Sequence, residues 1–88
     1  MKVSFKNITY YPTLGGKVEK CEDFSQAIAE AVYQNASNFA EHKLAHRIAE
    51  NEEVELTPEE AGSIKRAISH WRFFLQKPIL EAFGEVFE

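Results

Sequence analysis

Two histidines and a glutamate recur at helical spacing in the stretch "HKLAHRIAE". His42, His46 and Glu50 stand at positions i, i+4 and i+8, so an α-helix would project all three from one face. Imidazoles one turn apart are suitable ligands for a transition metal, and a carboxylate can complete a facial triad. The spacing therefore makes these residues a candidate metal site, and a metal-dependent activity there is the most distant of the functions considered for this chain.

A second interpretation of the same face needs no metal. Lys43 follows the first histidine, at the place where the zinc-protease motif has its catalytic glutamate. The three candidate ligands also lie away from the apolar stripe of their helix. They are then solvated side chains, with His46 and Glu50 forming an ion pair, and we expect the protein to use no cofactor.

The other nucleophile-like residues carry no catalytic signature. Cys21 is the single cysteine, and its neighbours Lys20 and Glu22 match no motif of thiol catalysis. We expect it to behave as a small apolar residue at the end of a strand. The "LGGK" stretch lacks the glycine spacing and the following Ser or Thr of a phosphate-binding loop. We therefore predict that the chain is not an enzyme.

Length and charge narrow the classes of protein further. The 88 residues, 44% of them hydrophobic, are typical of one small globular domain spanning 1–88. A net charge of −4 argues against nucleic acid as a ligand, because phosphate binding depends on clustered Lys and Arg. No apolar run approaches the ~18 residues of a membrane span, and the N-terminus lacks the apolar core of a signal peptide. We expect a cytoplasmic protein without a membrane partner.

Residues 2–11 have the β-branched and aromatic character of a strand. Val3 and Phe5 share one face of such a strand, whereas Ile8 and Tyr10 share the other. The phase therefore changes between Phe5 and Ile8. This change predicts either a bulge or a strand whose two halves serve different neighbours.

A hairpin should follow, because "PTLGGK" is rich in turn formers and "KVEKC" can return as a second strand. Alternation of Val54 and Leu56 with glutamates predicts a third short strand near 53–56, which could extend the hairpin.

Four helices account for the rest of the chain. We predict N-caps at Asp23 and Ser37, and a capping box at Thr57 with Pro58 in the first helical position. Pro78 should open the last helix. Because a proline disfavours helical geometry at the residue before it, the third helix should end around 74–76. The fold class is thus α+β, a hairpin packed with four helices. The predicted buried stripes consist of Phe24, Ile28, Ala31 and Val32; Ala40, Leu44, Ala45 and Ile48; Ala61, Ile64, Ile68, Trp71 and Leu75; and Ile79, Leu80, Phe83 and Phe87.

The aromatic stretch "HWRFFLQKP" supplies the remaining signal. If the third helix runs through it, Phe73 points nearly opposite the buried stripe. Either the last helix folds back over Phe73, or Phe73 belongs to a protein interface, where aromatic residues and Arg are enriched. The other predicted interface residues are Trp71, Arg72, Phe74, Phe87 and Tyr11.

Two stretches also suggest an origin. "LAHRIAENEEVELTPEEAGSIKRAI", together with the Pro-Ile start of "KPILEAFGEVFE", resembles small proteins encoded by tailed phages, prophages and related mobile elements. The resemblance extends over about residues 24–83. It implies a phage or mobile-element protein, and it carries no established activity or catalytic residues over to this chain.

The predicted function is a non-enzymatic protein-interaction or assembly module, whose partner is another protein or a second copy in a homo-oligomer. The alternative is a small acidic regulator that binds a host protein or, less in keeping with the charge, DNA. The second and third predicted helices are separated by about eight residues, too many for the 3–4-residue turn of a helix-turn-helix motif.

Overall fold

The computed structural model describes residues 1–16 and 18–84 and confirms the α+β class. Short strands at the N-terminus and one between the second and third helices accompany four helices. In chain order the elements are β1 (Lys2–Val3), β2 (Ile8–Tyr10), β3 (Lys20–Glu22), α1 (Ser25–Asn35), α2 (Phe39–Glu50), β4 (Val54–Glu55), α3 (Pro58–Ala67) and α4 (Phe73–Ala82).

The N-terminal segment splits into two strands with different partners, as the change of phase predicted. β1 pairs antiparallel with β4, while β2 pairs antiparallel with β3 to form the hairpin. Between them the chain leaves extended pairing, so that Val3, Phe5, Ile8 and Tyr10 are all buried. The carbonyl of Phe5 accepts a hydrogen bond of 2.8 Å from the backbone N–H of Phe24 and so ties this bend to the start of α1.

The strand expected near 53–56 exists but does not extend the hairpin. Val54 lies opposite Val3, and Glu55 lies opposite Lys2, in a separate two-stranded sheet. The hairpin strand β2 packs instead against α4 on its other side. Burial explains the pairing, because Val3 and Val54 both turn their side chains into the core from this position.

One hydrophobic core joins the helices and both small sheets. α1 packs along α2 and against α3, and the buried face of each helix carries the apolar residues that the periodicity predicted. Ala40 is an exception, since it lies on the exposed side of α2. The largest side chains with almost no exposed surface are Phe5, Ile28, Val32, Leu44, Ile48, Ile64, Ile68 and Ile79.

The first two helices begin one position later than predicted. The N-cap of α1 is Phe24, and the Asp23 carboxylate accepts hydrogen bonds from both the backbone N–H (2.8 Å) and the hydroxyl (2.6 Å) of Ser25. The N-cap of α2 is Asn38, whose side-chain oxygen accepts from the N–H of Glu41 at 2.9 Å. Ser37 stands one residue before this N-cap, and its hydroxyl donates to the Glu41 carboxylate at 2.8 Å.

The capping box of α3 is confirmed. The Thr57 hydroxyl accepts from the N–H of Glu60 at 3.2 Å, and the Glu60 carboxylate accepts from the N–H of Thr57 at 3.0 Å. Pro58 occupies the first helical position. The other carboxylate oxygen of Glu60 bonds the Arg47 guanidinium at 2.6 Å, so the cap also ties α3 to α2.

The predicted boundary between the last two helices is wrong. α3 ends at Ala67, and the chain turns through 68–72 before α4 begins at Phe73, which leaves Pro78 inside α4. Side chains satisfy the backbone at this break: the Ser69 hydroxyl donates to the carbonyl of Arg66 at 2.8 Å, and the Gln76 amide donates to the carbonyl of Ser69 at 3.3 Å.

The buried stripe nevertheless continues across this break. The N–H of Trp71 donates to the carbonyl of Ile68 at 2.9 Å, so the turn keeps nearly the pitch of a helix. Trp71 and Leu75 therefore still pack, half-buried, against the core. α4 contributes the buried Ile79 and Leu80. Phe83 also packs against the core, and Phe87 lies outside the described residues.

None of the helices in the described part of the chain has both the length and the apolar character that crossing a membrane requires.

The Glu41 side chain connects the α1–α2 loop to α3. It is 14% exposed, accepts hydrogen bonds from the Ser37 hydroxyl and the Asn38 amide (3.0 Å), and lies 3.7 Å from the Arg66 guanidinium. The Ser37 hydroxyl and, to a lesser extent, the positive charge of Arg66 lower the pKa of this carboxyl below its usual 4.5, against an opposing effect of burial. The folded protein therefore favours the charged form of Glu41.

We expect Thr57→Ala to lower the free energy of unfolding by about 1 kcal/mol, because it removes the side-chain half of the capping box. Urea denaturation at neutral pH measures this change, which should shift the midpoint with the slope unaltered. Thr13→Ala, in the exposed hairpin turn, is the matched control and should change stability by less than about 0.5 kcal/mol. Equal losses at both positions would contradict the assignment.

We also expect stability to depend on pH through Glu41. Its lowered pKa contributes stabilisation that is present above pH 4.5 and is lost as the pH falls through the lower pKa of the folded state. The difference in urea midpoint between the wild type and Glu41→Gln should therefore shrink between about pH 6 and pH 3. Glu30→Gln, at an exposed position of α1, serves as the control. A wild-type advantage over Glu41→Gln that stays constant with pH would refute this role.

Candidate functional site

A groove opens between the hairpin turn and the first half of α4. Its volume is about 620 Å³, compared with about 290 Å³ for the cleft between α1 and α2 and about 270 Å³ for the one between α2 and α3. Residues of the hairpin form one wall and residues of α4 form the other. The lining residues are Thr9, Tyr10, Tyr11, Pro12, Thr13, Leu14, Phe73, Phe74, Lys77, Pro78 and Glu81.

The hairpin wall follows from strand alternation and from the turn. Tyr10 is 8% exposed, whereas the next residue, Tyr11, is 49% exposed. The turn then closes with a 3.1 Å hydrogen bond from the N–H of Gly16 to the carbonyl of Thr13, and Gly16 adopts a φ of +63° that favours glycine. Leu14 stands at the apex of this turn with its side chain fully in solvent.

The α4 wall follows from helical spacing. Phe73, Lys77 and Glu81 recur every fourth position, and Phe74 and Pro78 form the row beside them. Both rows face the groove, while Ile79 and Leu80 on the same helix are buried in the core. The helix thus divides its apolar residues between the interior and the groove.

Aromatic rings connect the groove to the core. Phe74 stacks on Tyr10 with ring centroids 6.1 Å apart and planes at 28°. Tyr10 in turn contacts Phe24 at 5.5 Å, and Trp71 meets the Phe24 ring at 6.4 Å with its plane at 61°. This row of rings gives the floor of the groove a rigid support, because each ring is held by the next.

The hydroxyl of Tyr10 remains protonated under ordinary conditions. Burial raises its pKa, and the neighbouring Glu22 carboxylate raises it further, both as a hydrogen-bond partner and through its negative charge. The protonated phenol is the form that can donate a hydrogen bond, and the Glu22 carboxylate is the acceptor beside it.

The structure places three of the predicted interface residues in the groove: Tyr11, Phe73 (55% exposed) and Phe74 (37% exposed). Phe73 is the first residue of α4 and not part of α3, so the predicted orientation relative to the α3 stripe does not apply. Because Phe73 belongs to the last helix, that helix cannot fold back over it as one of the two alternatives required.

The other predicted interface residues lie elsewhere. Trp71 is half-buried and packs against the ring of Phe24. Arg72 is the exposed N-cap residue of α4. Phe87 falls outside the described residues. Sequence analysis missed Leu14 and Lys77 as lining residues. The stretch "YYPTLGG" places an apolar residue, Leu14, inside a turn, and this unusual position could have predicted an exposed binding residue.

The described lining of the groove is mostly apolar. Among the residues that the structure describes there, Lys77 and Glu81 carry charge, and they stand four positions apart on one helix with opposite signs. The remaining lining is aromatic, aliphatic, proline or threonine. Such a surface gains free energy by removing apolar area from water.

The candidate metal ligands lie on a different face, along α2. The rings of His42 and His46 are adjacent, with centroids 4.8 Å apart, and His46 Nδ1 lies 4.0 Å from the Glu50 carboxylate. Within residues 1–16 and 18–84, no group of three or more His, Cys, Asp or Glu side chains is arranged to hold a metal ion. Cys21 is exposed in β3.

No family model, no curated protein and no solved structure matches this chain. The resemblance to proteins of phages and mobile elements, and the alternative of an acidic regulator, therefore remain predictions. The support for the candidate site comes from the geometry of the groove alone.

We expect Phe73→Ala to cost less than about 1 kcal/mol of stability, because the side chain is more than half exposed. Phe5→Ala is the comparison: Phe5 is 2% exposed and packs edge-on against Phe83 at 6.1 Å, so its removal should cost about 3–5 kcal/mol or unfold the domain. Chemical denaturation followed by circular dichroism measures both. A large loss at Phe73 would show that its role is structural.

Proposed function

We propose that this chain is a non-enzymatic protein-interaction module that assembles with a second copy of itself through the groove between the hairpin turn and α4. The observation that carries the proposal is the concentration of exposed apolar side chains at this one place. Four large apolar residues with substantial exposure, Tyr11, Leu14, Phe73 and Phe74, lie together there. Patches of this kind mark interaction sites on small proteins.

The free energy to be gained by burying these side chains supports an interface. Fully burying a side chain such as Phe or Leu is worth about 1.5–3 kcal/mol relative to leaving it exposed. The stacked rings of Tyr10 and Phe74 are already ordered, so a partner would not have to immobilise them. Aromatic anchors in a preformed concave site are typical of the residues that dominate binding energy.

A second copy suits this surface because the same patch carries both an exposed, projecting apolar side chain and an apolar groove. The fully exposed Leu14 projects from the hairpin turn beside the groove, and the groove offers an apolar cavity on the same face. In a two-fold symmetric dimer each partner uses the same patch. Leu14 of one copy would then enter the groove of the other, and the reverse contact would form at the same time.

Charge does not oppose such a pairing at this face. The net charge is −4, but Lys77 and Glu81 contribute one charge of each sign to the groove. A two-fold arrangement can therefore place opposite charges across from each other. Lys77 is the one lysine among the described lining residues, which therefore offer no clustered cations for a nucleic-acid backbone.

We expect the mass measured by light scattering after size exclusion to rise from monomer to dimer over about a hundredfold range of concentration. Leu14→Asp and Phe73→Asp should each keep the protein monomeric throughout that range, because a charge buried in the interface would have to be desolvated.

Phe39→Asp is the matched control, since Phe39 is an aromatic residue of α2 that is 73% exposed and lies away from the groove. It should dimerise as the wild type does, with all variants retaining the helical circular dichroism. A wild type that stays monomeric at every concentration, or a Phe39→Asp variant that behaves like Phe73→Asp, would overturn the proposal.

A further inference from the structure

The solvent-facing side of α2 carries a feature that the groove does not use. His42 and His46 stand one turn apart, and their rings meet edge to face at 64° with centroids 4.8 Å apart. The apolar residues Leu44 and Ile48 of the same helix face the core. The two imidazoles are thus adjacent on the outside, where an ion from solution can reach them.

Aromatic neighbours contact both of these rings. Tyr33 of α1 contacts His42 at 5.2 Å and meets the edge of His46 at 6.2 Å. Phe39 stacks on His42 at 6.2 Å with planes at 19°. Such contacts reduce the conformational freedom that the imidazoles would lose on binding, which favours a ligand that needs both at once.

Carboxylates supply the second element of a metal site. Glu50 is the carboxylate on the Nδ1 side of His46: its oxygen lies 4.0 Å from that nitrogen, within ion-pair range but beyond a direct hydrogen bond. A carboxylate on the far nitrogen is the usual orienting partner of a metal-bound histidine. Glu30 lines the same cleft between α1 and α2 as His46 and adds a further negative charge.

We propose that His42 and His46 form a two-imidazole site for a divalent transition-metal ion of the Ni²⁺, Cu²⁺ or Zn²⁺ type, with Glu50 as the residue that orients His46. This differs from the triad expected from spacing, in which Glu50 is a ligand. It agrees with the lack of a three-ligand group in the described part of the chain. Water or donors from outside the chain complete the coordination.

The ligand set determines which ions should bind. Imidazole nitrogen suits nickel, copper and zinc, and the affinity of such a site should be greatest for Cu²⁺. Mg²⁺ and Ca²⁺ require oxygen ligands and should not bind here. Binding to the folded state alone should also raise the melting temperature, because both histidines must be held at helical spacing.

The test is isothermal titration of the untagged chain with NiCl₂, together with thermal melts in Ni²⁺, Zn²⁺ and Mg²⁺. We expect one Ni²⁺ per chain and a higher melting temperature in Ni²⁺ and Zn²⁺ but not in Mg²⁺. His42→Asn and His46→Asn should each abolish both effects. Glu50→Gln should weaken Ni²⁺ binding by about 10-fold while keeping the stoichiometry.

His70→Asn is the matched control, because His70 is the third histidine and lies exposed in the turn between α3 and α4. It should bind Ni²⁺ as the wild type does. Circular dichroism checks that each variant is folded. Unchanged binding in His42→Asn or His46→Asn, loss of binding in His70→Asn, or no Ni²⁺ binding by the wild type would overturn the proposal.

Discussion

Phe5 and Ile8 are both buried although they stand three positions apart in an N-terminal segment of extended character. A continuous strand would point them to opposite faces, so the chain has to leave β geometry between them. The remaining architecture depends on this break. It assigns β1 to β4 and leaves β2 free to pair with β3, with the Phe5 carbonyl anchoring the start of α1. The hairpin is thereby positioned beside α4, and the groove between them exists for that reason.

Polar contacts at the helix ends hold the helices at their relative positions. Glu60 completes the capping box of α3 and also bonds Arg47 of α2. Glu41 bonds the α1–α2 loop and approaches Arg66 of α3. Each of these carboxylates serves a local helix cap and a distant helix at once. A domain of this size has little free energy to spare, so such double use is an efficient form of stabilisation.

The two proposed surfaces differ in the physics of recognition. The groove gains by removing apolar side chains from water, which is non-directional and sensitive to shape. The His42–His46 pair gains by donating nitrogen lone pairs to an ion, which is directional and depends on ion type. They lie on different elements, and neither requires the other. Together the two proposals assign association to one face of the protein and metal binding to another.

Local patterns were enough to determine the α+β class, the hairpin, the buried faces of the helices and the Thr57 capping box. Each of these depends on residues close together in the chain, so spacing and side-chain type contain the information. The same holds for the adjacency of His42 and His46, which one helical turn brings about.

Tertiary structure decided the pairing of β4 with β1, the end of α3 at Ala67 and the exposure of Phe73. Pro78 predicted that α3 would end just before it, but the helix ends earlier, at Ala67. The Ser69 and Gln76 side chains make this possible, because they donate to backbone carbonyls that a continuous helix would have paired. Local patterns could not predict the groove, since its walls come from two segments far apart in the chain, residues 9–14 and 73–81. Packing between segments so far apart in the chain is set by the shape of the whole core and not by the spacing of residues within either segment.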